Sequence, residues 1–134
     1  MAVLAKKSIL INGRLQEKTL RQHTLDVLSA FTALFGEEQK PAPFAENWFR
    51  FFQIPNEDRT SFFQCTKSAV ILHDVGKSND HFQEAVKGGG GQSLRHEFLG
   101  GWLLGLESLR NLLESVNSAD FQIIRASIMG HHLK

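Results

Sequence analysis

The sequence predicts an all-α domain, and three observations carry that prediction. Apolar residues recur at three- and four-residue intervals through most of the chain, the spacing that sets one buried stripe along a helix. Strand character is confined to SILING (8–13), a stretch suited to a hairpin. The 134 residues suffice for one hydrophobic core and not for two, so the chain reads as a single domain, 1–134.

The first helix lies in LRQHTLDVLSAFTALFG (20–36). Its stripe is Leu20, Val27, Leu28, Phe31, Leu34 and Phe35, and Gly36 ends it, because glycine accepts the left-handed backbone of a helix C-terminus. GEEQKPAP (36–43) follows as a loop, and PFAENWFRFFQIP (43–55) is a short aromatic helix between two prolines. NEDRTSFFQCTKSAVILHD (56–74) carries Phe62, Thr66, Ala69 and Val70 on one face, with Asn56 or Asp58 as its N-cap. SNDHFQEAVK (78–87) is a brief helix capped by Ser78. KGGGGQS (87–93) is expected to be a mobile loop, since four successive glycines lose much backbone entropy when fixed. SLRHEFLGGWLLGLESLRNLLESV (93–116) reads as the longest helix and SADFQIIRASIMGHH (118–132) as the last, giving about six in a compact bundle.

Charge and cysteine usage narrow the function classes. Fifteen basic residues against 14 acidic ones give a formal net charge of +1. Contact with nucleic acid therefore needs a local basic patch or a metal rather than a globally basic protein. The single cysteine, Cys65, forms no internal disulfide and no cysteine-based zinc site, which suits a reducing cytosol. The N-terminal MAVLAKKSILINGRL is too charged for a spanning helix and lacks the order of a signal peptide. The expectation is a cytoplasmic protein with no membrane partner.

One stretch is not explained by packing. In VILHDVGKS (70–78) an apolar run ends in His73 and Asp74, then turns through Gly76 into Lys77. Five of the six histidines bear a similar relation to apolar stripes. His23 lies three residues after Leu20 and four before Val27; His73 follows Ala69 by four, and Asp74 follows Val70 by four. His96 precedes Leu99 by three, and His131 and His132 follow Ile124 and Ile128 at helical spacing, whereas His81 faces solvent. Singly, His23 and His96 are best read as core histidines with hydrogen-bonded nitrogens, His131 and His132 as a frayed terminus, His73–Asp74 as a polar helix end, and Lys77 as a solvated loop lysine. Together they read differently. Burying five imidazoles in one small core, each with separate partners, costs more than letting them share a cation. Imidazole and carboxylate are ordinary ligands of first-row transition metals, and helices converging on a bundle core build such sites.

The order His23, HDVGK (73–77), FQ (82–83), RHE (95–97) and HH (131–132) resembles the HD superfamily of metal-dependent phosphohydrolases. Within it, the chain is most similar to the HD nuclease domain of the CRISPR-associated helicase-nuclease of type I interference systems. The likeness runs from residue 20 to 132, and AKKS (5–8) and IMGHH (128–132) fit it as well. It implies a helical domain holding one or two divalent metal ions. His23, His73 and Asp74 would serve the first, with Asp74 bridging, and His96, His131 and His132 the second. Lys77 matches the family's lysine that faces the scissile phosphate, which makes Asp74 and Lys77 the implied catalytic residues. The family's remaining ligand, an aspartate on a later helix, has no counterpart before the sequence stops two residues after His132, so a C-terminally truncated domain is expected.

The resemblance also implies an activity: hydrolysis of single-stranded DNA in antiviral interference, with RNA as the alternative polymer. Its implied partners are a helicase domain or subunit and a guide-RNA surveillance complex. A histidine-rich shell favours Mn, Fe, Co or Ni over Mg, which prefers oxygens and water. Arg50, Arg59 and Arg95 are candidate phosphate contacts. Phe44, Trp48, Phe49, Phe51 and Phe52 offer faces for unpaired bases, although in a chain with 11 Phe the core is their stronger reading. Two other readings stay open. One is an HD phosphohydrolase of nucleotides, against which RHE and HH weigh; the other is an incomplete HD domain serving as a non-catalytic interaction module, for which the missing aspartate argues.

Overall fold

The computed structural model describes residues 2–90, 94–113 and 116–132. After a short buried entry at Leu4 and Ala5, the chain forms an antiparallel hairpin of β1 (Ile9–Ile11) and β2 (Arg14–Gln16), with Leu10 opposite Leu15. Asn12 and Gly13 both take left-handed backbone (φ 50° and 73°), as a two-residue hairpin turn requires. The hairpin expected from SILING is present.

Helix α1 (Leu20–Phe35) starts where Thr19 accepts a hydrogen bond from the Gln22 amide, and it ends at Gly36 (φ 76°), whose N–H closes on the Thr32 carbonyl. A Cβ at Gly36 would lie 2.5 Å from the Lys40 carbonyl oxygen, so the position demands glycine twice over. Instead of the loop expected over 36–43, a two-residue ladder pairs β3 (Gly36–Glu37) with β4 (Lys40–Pro41). Helix α2 (Pro43–Phe51) begins on a proline, whose missing N–H is not needed there, and stops short of Pro55.

A 3-10 turn (Asn56–Asp58) leads into α3 (Arg59–Leu72), and neither Asn56 nor Asp58 caps it through a side chain. Helix α3 has two apolar faces, not the single one expected. Cys65, Ala69 and Leu72 pack against Leu104, Phe121, Ile124 and Ile128, while Phe62, Phe63 and Val70 pack against Phe31, Ala45 and Phe49. It is therefore the central helix, and each fully buried Phe or Ile on it or against it contributes roughly 1.5–3 kcal/mol of hydrophobic stabilisation.

Helix α4 (Asp80–Val86) is capped by Asn79, which accepts from the Phe82 amide; Ser78, the expected cap, instead donates to the Val75 carbonyl. Of the glycine loop, 91–93 lie outside the described residues. The single long helix expected over 93–116 is broken into α5 (His96–Leu103), α6 (Glu107–Arg110) and a 3-10 turn (Asn111–Leu113). Leu104 is fully buried, Gly105 carries the turn behind it and Leu106 is extended, so one glycine ends a run whose periodicity carries on past it. Helix α7 (Ser118–Gly130) starts at Asn117, which accepts from the Asp120 amide, and packs on α3 and α5. The architecture is an all-α bundle with two small strand pairs, and α1 is the longest of its described helices.

The aromatic run departs from its expected place. Only Phe49 of the five is core; Phe44, Trp48, Phe51 and Phe52 are exposed, Phe51 by 79%. Their rings touch one another along α2, with Trp48 and Phe52 centroids 4.5 Å apart. Leu34, counted in the α1 stripe, is half exposed as well. No described helix is long and apolar enough to cross a membrane.

Candidate metal centre

The ends of three helices and the first turns of a fourth meet at Asp74. His23 sits one turn into α1, His73 terminates α3, His96 opens α5, and His131 and His132 follow α7. Between His73 and α4 the chain makes a 3-10 turn, Val75–Ser78, whose Lys77 amide donates to the Asp74 carbonyl at 2.8 Å. The chain turns through Gly76 as expected, yet Gly76 has no left-handed backbone, so the turn itself does not call for glycine. Glycine is there because the turn lies against α5: a Cβ would overlap the His96 carbonyl oxygen and sit 2.8 Å from the Gly100 amide nitrogen. That close approach presents Asp74 to His96.

Asp74 is 1% exposed, and its two oxygens face different groups. Oδ2 accepts from Lys77 Nζ at 2.7 Å and lies 3.2 Å from the Nε2 atoms of both His23 and His73. Oδ1 lies 3.2 Å from His96 Nε2 and 3.5 Å from His131 Nε2. The His132 ring stands 5.0 Å from that of His96 and 4.2 Å from that of His131. Potential ligand atoms thus fall into two groups, each within 4.8 Å of one another: His23, His73 and Asp74, and Asp74, His96, His131 and His132. The six residues singled out as ligands come together around one carboxylate, and His81 lies outside, exposed.

The backbone fixes two of these imidazoles. His73 Nδ1 donates to the Val70 carbonyl at 2.7 Å, and His131 Nδ1 donates to the Ile128 carbonyl at 2.6 Å. Both use the carbonyl three residues back at a helix end, which leaves Nε2 as the ring nitrogen turned toward Asp74. Despite their proximity, Asp74 Oδ1, His96 Nε2 and His131 Nε2 are buried and make no hydrogen bond among the described residues. A carboxylate oxygen and two imidazole nitrogens aimed at one point, with nothing shared between them, lack an electrophile. Nitrogen and carboxylate donors of this kind fit a divalent first-row transition metal.

Electrostatics keep the carboxylate charged. Burial alone would raise the Asp74 carboxyl, but His73, His96 and Lys77 around it outweigh burial and hold it far below the usual carboxylate range. Burial lowers the His73 imidazole, yet Asp74 and the Val70 carbonyl more than compensate, and it is raised. His23 and His132 are both lowered, chiefly by burial; Asp74 offsets this only in part for His23, and for His132 the neighbouring His131 and His96 add to it.

Of the arginines expected near phosphate, Arg59 is committed elsewhere: it donates to both oxygens of Glu46 at 3.2 Å and stacks over Phe49. Arg50 is exposed on α2. Arg95, 59% exposed, pairs with Glu97 and donates to the His132 carbonyl, which places it at the centre's rim. Two residues inside the motifs RHE and FQ were given no role from the sequence. Glu97 is buried, with Oε2 3.4 Å from His96 Nδ1, a carboxylate placed to orient that ring. Gln83 donates to the carbonyls of Leu4 and Lys77 and accepts from the Leu4 amide, tying the N-terminal segment to the turn behind Asp74. An acidic residue in a first helical turn is so common that Glu97 carried no signal of its own.

Fold and site together define an HD domain: a helical bundle in which histidines from separate helices surround a His-Asp pair. The family model described as Cas3, HD domain, matches residues 5–133, and the chain belongs to that family. With the family comes a general role, that of a CRISPR-associated HD nuclease: metal-dependent hydrolysis acting on nucleic acid in association with a helicase and the CRISPR machinery. No curated protein and no solved structure matches the chain.

Proposed function

We propose that this chain hydrolyses phosphodiester bonds of single-stranded DNA at the Asp74 centre, with RNA as the alternative polymer, and that His23, His73, Asp74, His96, His131 and His132 hold its metal. The observation that supports this most is the convergence of imidazoles from four helices on one buried, ionised carboxylate whose Oδ1 makes no hydrogen bond among the described residues. Bound transition-metal ions, Mn, Fe, Co or Ni before Mg, would supply a water made nucleophilic at neutral pH and neutralise phosphate charge. Asp74 presents one oxygen to each ligand group. His73 and His131, locked by their backbone carbonyls, keep their Nε2 atoms turned to the centre. Lys77 contributes a compact cation for the phosphoryl oxygens once it leaves Asp74.

A flexible single strand reaches a half-buried centre more readily than a stiff duplex. The exposed rings of Phe44, Trp48, Phe51 and Phe52 offer π faces to unpaired bases. A helicase domain would deliver that strand, and a guide-RNA complex would recruit both. The test is a Mn-supplemented assay of the intact chain on single-stranded DNA, duplex DNA, RNA and a nucleotide panel. Single-stranded DNA should be cut, and Asp74→Ala should reduce cutting to background. Equal cleavage by Asp74→Ala, or hydrolysis of nucleotides with polymers left intact, would overturn the proposal.

A further inference from the structure

The two sides of the Asp74 carboxylate are not equivalent. On the Oδ2 side a cation is already present, because the Lys77 ammonium donates at 2.7 Å, and His23 and His73 bring their Nε2 atoms within 3.3 Å of each other, where one N–H serves both. On the Oδ1 side, Asp74 Oδ1, His96 Nε2 and His131 Nε2 have no hydrogen-bond partner among the described residues.

We propose that Lys77 sets the order in which the centre fills: the first cation enters on the Oδ1 side among His96, His131 and His132, and Lys77 guards the Oδ2 side against a second. This rests on the metal-centre reading above and goes beyond it. An ion on the Oδ1 side meets donors that make no hydrogen bond among the described residues, although His96 and His131 lie 3.2 and 3.5 Å from the oxygen, and it displaces no ammonium. An ion on the Oδ2 side must share one oxygen with the ammonium of a side chain that is only 12% exposed, and two poorly screened positive charges a few ångströms apart repel strongly. Lys77 is also held in place from behind, with its carbonyl bonded to Gln83 and its Nζ 5.6 Å from the centre of the Phe82 ring. The Oδ2 side therefore loads only as Lys77 lets go of Asp74, and the same movement frees the ammonium for an anionic substrate.

Titrating the intact chain with Mn(II), by calorimetry and by electron paramagnetic resonance, reads this order directly. The wild type should show two separated steps, the first giving the spectrum of an isolated ion and the second that of a coupled pair. Lys77→Met should tighten the second step roughly tenfold or more, the worth of a charge-assisted hydrogen bond, and leave the first within about threefold. His96→Ala should remove the first step. Lys77→Gln, checked for folding by circular dichroism alongside Lys77→Met, should move the second step in the same direction. If both Lys77 variants leave the second step unchanged, or tighten both steps equally, or if His23→Ala rather than His96→Ala removes the first, the filling order is wrong while the metal centre stands. A folded chain that binds no Mn(II) overturns both.

Discussion

Gln83 shows how one side chain supports the centre without touching it. Buried beside the turn, it uses both amide hydrogens and its oxygen, bonding the Leu4 carbonyl at 2.9 Å, the Lys77 carbonyl at 2.8 Å and the Leu4 amide at 2.9 Å. Gln83→Leu keeps the volume but strands three buried backbone groups, each costing about 1–3 kcal/mol when unpaired. A total near 3 kcal/mol allows for partial rescue by water, and for a domain of this size it corresponds to a fall in Tm of about 10 °C. Thermal melting of the variant checks this, and a shift under about 2 °C would show that the three bonds are not held in solution. Cys65 offers a second residue-level test. Burial pushes its thiol up, and the Asp120 carboxylate adds to that, while the Ser61 hydroxyl pulls the other way without winning. Alkylation requires the thiolate, so a raised thiol means slow reaction. At pH 8 the folded chain should resist iodoacetamide over the period in which the urea-unfolded chain is fully labelled; equal rates would contradict the burial.

At the level of elements, the 3-10 turn after α3 and the start of α5 behave as one unit because glycine lets their backbones touch. Gly76→Ala would drive a Cβ into the His96 carbonyl, a backbone atom that cannot rotate aside, and should cost about 1–3 kcal/mol while pulling Asp74 away from His96. Gly101→Ala, in the last turn of α5, instead meets the Met129 side chain, which can change rotamer, and gains up to about 1 kcal/mol of helix propensity. Urea unfolding of the two variants should therefore separate them clearly, with Gly101→Ala near the wild type. This contrast also marks what a sequence can disclose. The span of α1 and its stop at Gly36 were readable because stripe and cap are local signals. The faces carrying His23, Asp74, His96 and His131 were readable from their spacing to neighbouring apolar residues. That these faces meet depends on how α1, α3, α5 and α7 pack, which local periodicity does not encode and the family resemblance had to supply. The break at Gly105 was hidden because LLGLESLRNLL keeps helical spacing through it. The two-faced character of α3 and the exposure of Phe44, Trp48, Phe51 and Phe52 were hidden because a hydrophobic letter does not say whether a neighbour arrives to cover it.

For the whole molecule, the centre is a clasp. Its candidate ligands lie on α1, at the end of α3, at the start of α5 and past α7, so an ion there joins segments from residue 23 to residue 132. The unfolded chain has no such arrangement, and binding free energy becomes folding free energy. At a free ion concentration one hundred times Kd, one site adds about 2.7 kcal/mol. For a domain of this length that is a rise in Tm of about 10 °C, which a chelator should reverse. The rise must run through Asp74, since a cation resting only on the adjacent and partly exposed His131 and His132 would engage the end of α7 alone. Melting curves with and without Mn(II) should therefore show the shift in the wild type and not in Asp74→Ala. Amide hydrogen exchange should slow together in the segments around His23, His73, His96 and His131. Were Mn(II) to raise the Tm of Asp74→Ala as much as that of the wild type, or to protect only the residues beside His131, the ion would be bound at one helix end and the four segments would not share it.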